Sequence, residues 1–434
     1  MSELSFELIN HASILLTAGA VRLLSDPWYE GTCFKGGWGL RYDNPGAYTE
    51  AATATDLWIS HYHGDHLHIP TLRKLAALRP DLRVHANVSA NFEMVTPLRA
   101  AGFKDVRPFG ELRWEKLGGE LSIRRHPCTG IDNCLVMETP SARLLNFNDC
   151  NLPVGAIRQL ARRTGPVDVL FTNFNHAYKL LDVAPPDRIK EALSARFLRI
   201  LDALRPRWVV PFASMHRYLS SDSQDQNSAM LTAADLERLD PRVLRLGFGD
   251  VCDLGGGADR PRIKRLEPSL EESRPTLKPR GPSVPFDRLQ LELDAYLRHL
   301  RQHLGPFSGI APLLRVRVPD LGKVIAIDLG AARARVWPGE EAHIAAYSAT
   351  LSDWCSKPYG TDALFVGADF AVLDPDTRAV RRMLLAGDLY DNKLTPLHTA
   401  GMLLRPSGWG FLWNRRDEIA AVLAQGVLRV GNRT

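Results

Sequence analysis

Four histidines and one aspartate fall within eight residues, in His61-Tyr62-His63-Gly64-Asp65-His66-Leu67-His68. Neutral imidazole and carboxylate suit zinc, iron or manganese, so this segment predicts a site for one or two divalent ions. Ions held this way polarise carbonyl or phosphoryl oxygens and make a nucleophile of water at neutral pH. The competing account is a polar loop with histidines gathered by chance, and chance seldom supplies this density of ligand types.

The cluster directly follows Asp56-Leu57-Trp58-Ile59-Ser60, an apolar run that predicts a buried strand. Residues 4–26 predict a β-hairpin, turning at Ala18-Gly19-Ala20 and ending in Asp26-Pro27-Trp28. Pro70 to Leu78 and Ala90 to Ala101 predict helices, with Leu82 to His85 a strand between them. Leu121 to His126 predicts a strand ending in histidine. A second hairpin, Cys134 to Glu138 and Leu144 to Phe147, ends at Asn148-Asp149-Cys150. Val167 to Phe171 predicts a buried strand, followed by Asn173-Phe174-Asn175-His176. Ile189 to Leu204 predicts an amphipathic helix, and Trp208 to Phe212 a strand leading into a loop with His216. Strands with polar ends, interleaved with helices, indicate an α/β protein with helices outside its sheets.

The 434 residues suffice for two or three domains. A formal net charge of +5 gives no case for nucleic-acid binding, although acidic substrates are compatible with it. The six cysteines are scattered without a Cys-x-x-Cys pair. The acidic, strand-like N-terminus does not read as a signal peptide, and no uncharged run approaches the roughly 20 residues that span a bilayer. A cytoplasmic protein with reduced thiols is therefore expected. Composition shifts between Gly255 and Pro285, where glycine and then proline become frequent. We therefore divide the chain into a catalytic domain over 1–255, a Pro-rich linker over 256–285 and a smaller C-terminal α+β domain over 286–434. In the last part, Leu289 to Leu304 predicts a helix, and Val316 to Val318 and Val324 to Asp328 predict strands. Thr361 to Leu373 and Ala379 to Leu385 predict further strands. This part faintly resembles sterol-carrier-protein-like modules. His85, His299, His303, His343 and His398 have no motif context and read as surface or packing residues.

The spacing His61-x-His63-x-Asp65-His66 resembles the signature of the metallo-β-lactamase superfamily. That resemblance implies a four-layer αββα metallo-β-lactamase sandwich with its metals at one edge. It also implies a ligand set of His61, His63, Asp65, His66, His126, Asp149 and His216, with His176 as the alternative last ligand. Asp149 would bridge two ions, and Asp26 would orient a ligand histidine from behind. His68 is an extra imidazole, either ligand, supporting residue or proton shuttle. Cys128 and Cys150 flank proposed ligands, as inert small hydrophobes or as part of the site wall.

A narrower resemblance rests on Asn10-His11-Ala12-Ser13, Ser25-Asp26-Pro27-Trp28, Asn148-Asp149-Cys150-Asn151 and Pro211-Phe212-Ala213-Ser214. Over roughly residues 8–225 the chain is similar to the metallo-β-lactamase-like part of CMP-N-acetylneuraminic acid hydroxylases and their bacterial relatives. Those enzymes carry a Rieske iron–sulfur domain, which needs Cys-x-His ligand pairs. No cysteine here has a histidine two residues later.

Three functions follow. The first is a hydrolase with two ions about 3.5–4 Å apart sharing a hydroxide and Asp149, acting on a phosphodiester, amide or lactone with Asp65 or His68 moving protons. The second is a non-haem diiron oxygenase on the same ligands, fed electrons by a separate reductase. The third is a non-catalytic binding protein. A small-molecule substrate, two zinc or iron ions (or manganese), and an oligomer are compatible with the first two.

Overall fold

The structure is a computed structural model. It describes residues 4–88, 93–128, 132–181, 184–255, 261–264, 276–310 and 313–393, with scattered positions beyond. Most of the Pro-rich stretch expected at 256–285, the first residues of the helix expected from Ala90, and His398 lie outside the described residues.

Two mixed sheets stack face to face. The first has eight strands, in the order Arg262–Lys264, Val251–Asp253, Leu4–Asn10, Ser13–Ala18, Val21–Ser25, Asp56–Ile59, Arg83–Asn87 and Asp105–Phe109. The second has six, in the order Trp208–Pro211, Val169–Thr172, Arg143–Asn148, Asn133–Glu138, Leu121–Pro127 and Trp114–Gly118. The period-2 alternation of side chains assigns each face. Phe6, Leu8, Leu16, Leu23 and Trp58 meet Ile123, Leu135, Leu144, Val169 and Phe171 between the sheets. The rings of Phe6 and Phe171 meet edge to face at 5.0 Å. The intervening residues Leu15, Leu24, Leu57 and Val84 pack outward under Leu72, Leu75 and Leu98. On the other side Val136, Leu145, Phe147 and Leu170 pack under Leu160, Leu193, Phe197 and Leu201. Burial on both faces explains why these strands read as continuous apolar runs. The result is a four-layer αββα sandwich.

Three helices cover these faces as their sequences require. Ile69–Leu78 has Pro70 in its first turn and buries Leu72, Leu75 and Ala76. Pro186–Leu204 buries Leu193, Phe197, Ile200, Leu201 and Leu204 on one stripe, and it begins three residues before the Ile189 expected from periodicity. The helix expected from Ala90 is described over Val95–Ala101.

Strands Val21–Ser25, Asp56–Ile59, Arg83–Asn87 and Asp105–Phe109 run parallel, as do Arg143–Asn148, Val169–Thr172 and Trp208–Pro211. Asp26, Ser60, Asp149 and Asn173 therefore all emerge at carboxyl ends of parallel strands, where open α/β sheets place their sites. A small sheet of His216–Tyr218, Trp38–Leu40 and Thr32–Cys33 closes one flank.

Residues 286–391 build a second core, which Leu181 of the first half joins. Helix Phe286–Leu304 buries Leu289, Leu293, Leu297 and Leu300 against a five-stranded sheet. Its order is Arg333–Val336, Lys323–Asp328, Leu314–Val318, Ile344–Ala345 and Ala371–Val372. The strands expected over 361–373 and 379–385 are mostly not strands. Gly360–Phe365 and Arg378–Asp391 are helices, and only Ala371–Val372 is extended. The reason is periodicity: Ala379, Val380, Met383, Leu384 and Ala386 form a helical stripe, and a short apolar run does not distinguish the two.

The two halves touch closely. A Cβ on Gly37 would overlap Gly367 O, so neither chain can carry a side chain inward at that crossing. The Trp38 indole donates to Val366 O at 2.7 Å, and Lys179 N donates to Phe365 O at 2.8 Å. Asp369 accepts from Ser220 Oγ at 2.8 Å and from Lys278 Nζ at 2.6 Å.

Candidate metal centre

Strand Asp56–Ile59 delivers the histidine loop, and the residues after it are held by their backbone. Ser60 N donates to Asp26 Oδ1 at 2.7 Å. Ser60 O accepts from Asn87 Nδ2 at 2.6 Å and from Asn133 Nδ2 at 2.9 Å. The loop then turns tightly, with His66 N and Leu67 N both donating to His63 O at 3.0 and 2.8 Å. His11, Asp26 and Asn148 sit beside it with φ of 25°, 36° and 60°, backbone strain gathered at one place.

Four imidazoles form a row, His63, His61, His66 and His11, with carboxylates between them. His61 Nε2 lies 2.7 Å from His63 Nδ1, 3.9 Å from Asp132 Oδ1 and 3.7 Å from Asp149 Oδ2. His66 Nε2 lies 3.5 Å from Asp149 Oδ2 and 3.2 Å from Asp65 Oδ2. His11 Nε2 meets the same Asp65 oxygen at 3.2 Å. Three overlapping triads thus converge: His61, His63 and Asp132; His61, His66 and Asp149; and His11, Asp65 and His66.

Hydrogen bonds fix which nitrogen of two rings carries a proton. His66 Nδ1 faces Asp26 Oδ2 at 3.0 Å, and Asp26 is fully buried, so Nδ1–H donates and Nε2 is the atom left to a cation. Asn148 Nδ2 donates to the same Asp26 oxygen at 3.1 Å. His11 Nδ1 accepts Met215 N–H at 3.2 Å, so its Nε2–H points at Asp65.

The electrostatics favour ligand-ready forms of His61 and Asp149. Burial holds the His61 imidazolium well below its ordinary range, aided by His66 and His63. Burial also opposes ionisation of Asp149, but His61 and His66 outweigh it and keep the carboxyl well below the usual range. His66 goes the other way: burial lowers it, yet Asp65, Asp149 and Asp26 raise it further. Such a proton is what a bound cation displaces.

The remaining expected residues are close in the fold but outside the triads. Burial lowers His126 to about 3 and His176 to about 4, and it lowers His216 well below the usual range. All three are neutral imidazoles at pH 7. His216 stacks on Trp38 at 3.7 Å between ring centres, and His176 stacks on Tyr218 at 5.5 Å. His68 accepts Thr71 N–H at Nδ1 and caps helix Ile69–Leu78, with burial lowering it to about 4. Cys128, Cys134 and Cys150 gather behind the site, Sγ to Sγ 3.0 and 3.5 Å, within the core under the outer helices.

The donor chemistry fits divalent cations. Buried atoms without a hydrogen-bond partner include Asp65 Oδ1, His66 Nε2, His126 Nε2, Asp149 Oδ1 and both ring nitrogens of His176 and His216. Orphaned polar atoms are costly in a fold unless a ligand satisfies them, and these are imidazole nitrogens and carboxylate oxygens, the zinc and iron set.

Three neighbours of the cluster carry no sequence signal strong enough to assign them. His11 stands in a segment quoted for its resemblance without a role. Asp132 stands just before strand Asn133–Glu138 with no spacing rule. Asp362 arrives from three hundred residues away, and its Oδ2 lies 3.7 Å from His63 Nε2. Burial raises its carboxyl, as it raises those of nearby Asp388 and Asp391 to about 6. The Tyr62 hydroxyl also donates across to Asn392 Oδ1. His303 Nδ1 meets His299 O within one helix and its ring meets Tyr390, and His85 pairs with Asp56 at 2.7 Å, all away from the cluster.

The sandwich and the His/Asp cluster at its edge define a metallo-β-lactamase-fold protein. By sequence, its curated relatives are CMP-N-acetylneuraminic acid hydroxylases. The human protein, described as inactive, is 32% identical over 163 residues, which is 35% of this chain and 32% of that one. The pig enzyme is 34% identical over 155 residues, 33% of this chain and 34% of its own length. The zebrafish enzyme is 31% identical over 182 residues, 40% of this chain and 29% of its own length. The chain thus spans about a third of the length of the curated relatives it matches. Among solved structures, the diiron β-hydroxylase CmlA of Streptomyces venezuelae is 18% identical with a TM-score of 0.39, over 58% of this chain and 54% of that one. An isothiocyanate hydrolase from Delia radicum gut bacteria is 15% identical with a TM-score of 0.41, over 57% of this chain and 98% of its own. No protein-family model matches the chain. These similar proteins carry hydroxylase and hydrolase names. Among the described residues, no helix is long and apolar enough to cross a membrane.

Proposed function

We propose that the chain is a metal-dependent hydrolase acting on an amide, lactone or phosphodiester. The observation that carries this reading is the Asp149 carboxylate, set between His61 and His66 with its second oxygen orphaned and its loop lining a cavity. His61, His63, His66, Asp65 and Asp149 would hold two divalent ions, completed by His126 and by His216 or His176. Bound there, the ions supply Lewis acidity and water activated near neutral pH. The chain's own part is positional. Asp26 keeps the His66 lone pair aimed at the site, and His11 holds Asp65 by one oxygen. His68 stabilises the loop end as a helix cap, and Asp362 stands 3.7 Å from His63 Nε2.

A second reading is an iron-dependent oxygenase with a separate reductase, favoured by the hydroxylase names of the curated relatives. The test is elemental analysis and a visible spectrum of protein purified without added metal, followed by substrate panels and oxygen uptake. Stoichiometric zinc with turnover of an amide, lactone or phosphodiester supports hydrolysis. Iron with an absorption band and substrate-dependent oxygen uptake overturns it in favour of the second reading.

A further inference from the structure

A cavity of about 960 Å³ opens from the metal edge between helices Pro186–Leu204 and Arg378–Asp391. It is as large as a site for a drug-sized ligand. Its long wall is apolar, built of Leu181, Ile189, Leu193, Phe365, Leu384 and Leu385. Leu385 remains 50% exposed there, although it stands on a helix whose neighbouring residues are buried.

Arg196 stands in the same cavity at the metal end. Its guanidinium donates to Asn175 O at 3.4 Å and to Asn173 Oδ1 at 3.0 Å, both neutral acceptors. Arg83 meets the Asp56 carboxylate at 2.5 Å, whereas Arg196 meets no carboxylate among the described residues. Burial accordingly lowers its pKa. A half-buried guanidinium hydrogen-bonded to neutral acceptors carries a desolvation cost that an anionic ligand offsets through paired, charge-assisted hydrogen bonds. Asn173 Nδ2 donates to Asp149 O at 3.4 Å, which ties Arg196 to the metal-edge loop. Asp362 and Asp388 line the cavity too, as do the cations Lys179, Arg188, Arg199 and Arg381, and Arg196 is the one tied to the Asp149 loop through Asn173.

We propose that this cavity takes an anionic amphiphile, its anionic group at Arg196 beside the Asp149 loop and its alkyl or acyl chain along the wall from Leu181 to Leu385. The inference rests on the reading that the cavity serves the metal centre, and it narrows the substrate to a hydrolysable bond close to such a head group. A small neutral substrate would leave both the wall and the guanidinium unmatched.

The test is calorimetric binding to the metal-loaded full chain of straight-chain alkanoates from hexanoate to hexadecanoate. Methyl esters and alkyl-trimethylammonium ions of matched length serve as controls. Alkanoate affinity should rise about fourfold per methylene until the wall is covered, with esters and ammonium ions at least about tenfold weaker. Arg196→Met should weaken alkanoates by about tenfold or more and leave the ammonium ions unchanged. Arg196→Lys should fall between, since it keeps charge without the fork. Leu385→Glu, at an exposed position, should flatten the chain-length dependence while the melting temperature holds. A flat chain-length series in the unaltered protein, ammonium ions binding as well as alkanoates, or Arg196→Met without effect would each overturn the proposal. Alkanoates have no bond to hydrolyse, so the outcome is separate from turnover. Stoichiometric metal and hydrolysis of a small substrate without alkanoate binding would sink the amphiphile and leave the hydrolase standing.

Discussion

Replacing Asp26 by asparagine isolates the role of a buried carboxylate that touches no substrate. Asp26 accepts from Ser60 N at 2.7 Å, His66 Nδ1 at 3.0 Å and Asn148 Nδ2 at 3.1 Å. In Asp26→Asn the new carbonyl oxygen still accepts Ser60 N–H, and shape is conserved. The new amide group faces His66 Nδ1 as a donor, so that nitrogen must accept and the ring proton moves to Nε2. Asn148 can turn over, because its Oδ1 has no partner at present. The ring that should present a lone pair to a cation then presents a proton. Losing a partner of this kind typically costs 10–100-fold in metal affinity, or about 1.4–2.7 kcal/mol. Asp26→Ala removes all three acceptor contacts and adds about 1–3 kcal/mol of lost fold stability for each donor left bare. The assay is competition with a chelator for bound metal, beside a thermal melt of both variants. Asp26→Asn should lose metal affinity and keep most of its melting temperature, whereas Asp26→Ala should lose both. Unchanged metal affinity in a folded Asp26→Asn protein would refute the tautomer argument.

Three further expectations follow from the geometry. Both His216 and His176 present unpaired, neutral rings, and His216→Ala should weaken the second ion more than His176→Ala in a metal titration; the reverse order reassigns the last ligand. Burial opposes ionisation of Asp56, but His85, Arg83 and Thr55 hold its carboxyl at about 2. Its depressed folded pKa contributes about 2 kcal/mol, fully present above the unfolded value near 4 and lost as pH falls through about 2. The stability gap between the protein and Asp56→Asn in urea titrations should therefore shrink across that window, and a gap independent of pH would contradict it. Gly37→Ala should lower the melting temperature by several degrees, because its Cβ meets Gly367 O; an unchanged melt would show that the crossing is loose.

What was legible in the sequence was mostly what is local. The run from His61 to His66 lies in one loop, and Asp26 and Asp149 each close a hairpin, so strand ends could be read and the site edge inferred. The core alternation of Phe6 and Leu8 against Leu15 and Leu24 follows from a period of two. The helix Arg378–Asp391 does not show as one in the sequence because the seven apolar-rich residues 379–385 do not fix a period, and beyond them Asp388 faces the cavity while Leu389 and Tyr390 pack on the core. Asp132 and Asp362 carry no pattern at all. Their place near the histidines depends on how the chain folds back on itself, and no spacing records that. His11 was in view, but its role depends on a bond from Met215 N, two hundred residues on.

The crossing of Gly37 and Gly367 has a practical consequence. Trp38, 2% exposed, is sealed by Val366 O from the far half of the chain, and the cavity takes one wall from each half. A cut near Gly255, where composition changes, would leave that indole N–H without its acceptor. An occupant of the cavity recognises only the joined state, so it acts as a thermodynamic clasp. By mass action, a ligand at a hundred times its dissociation constant adds about 2.7 kcal/mol to the apparent stability of the joined state. Ligand-dependent melting of the intact chain is therefore a direct screen for what the cavity holds, independent of any assay of turnover.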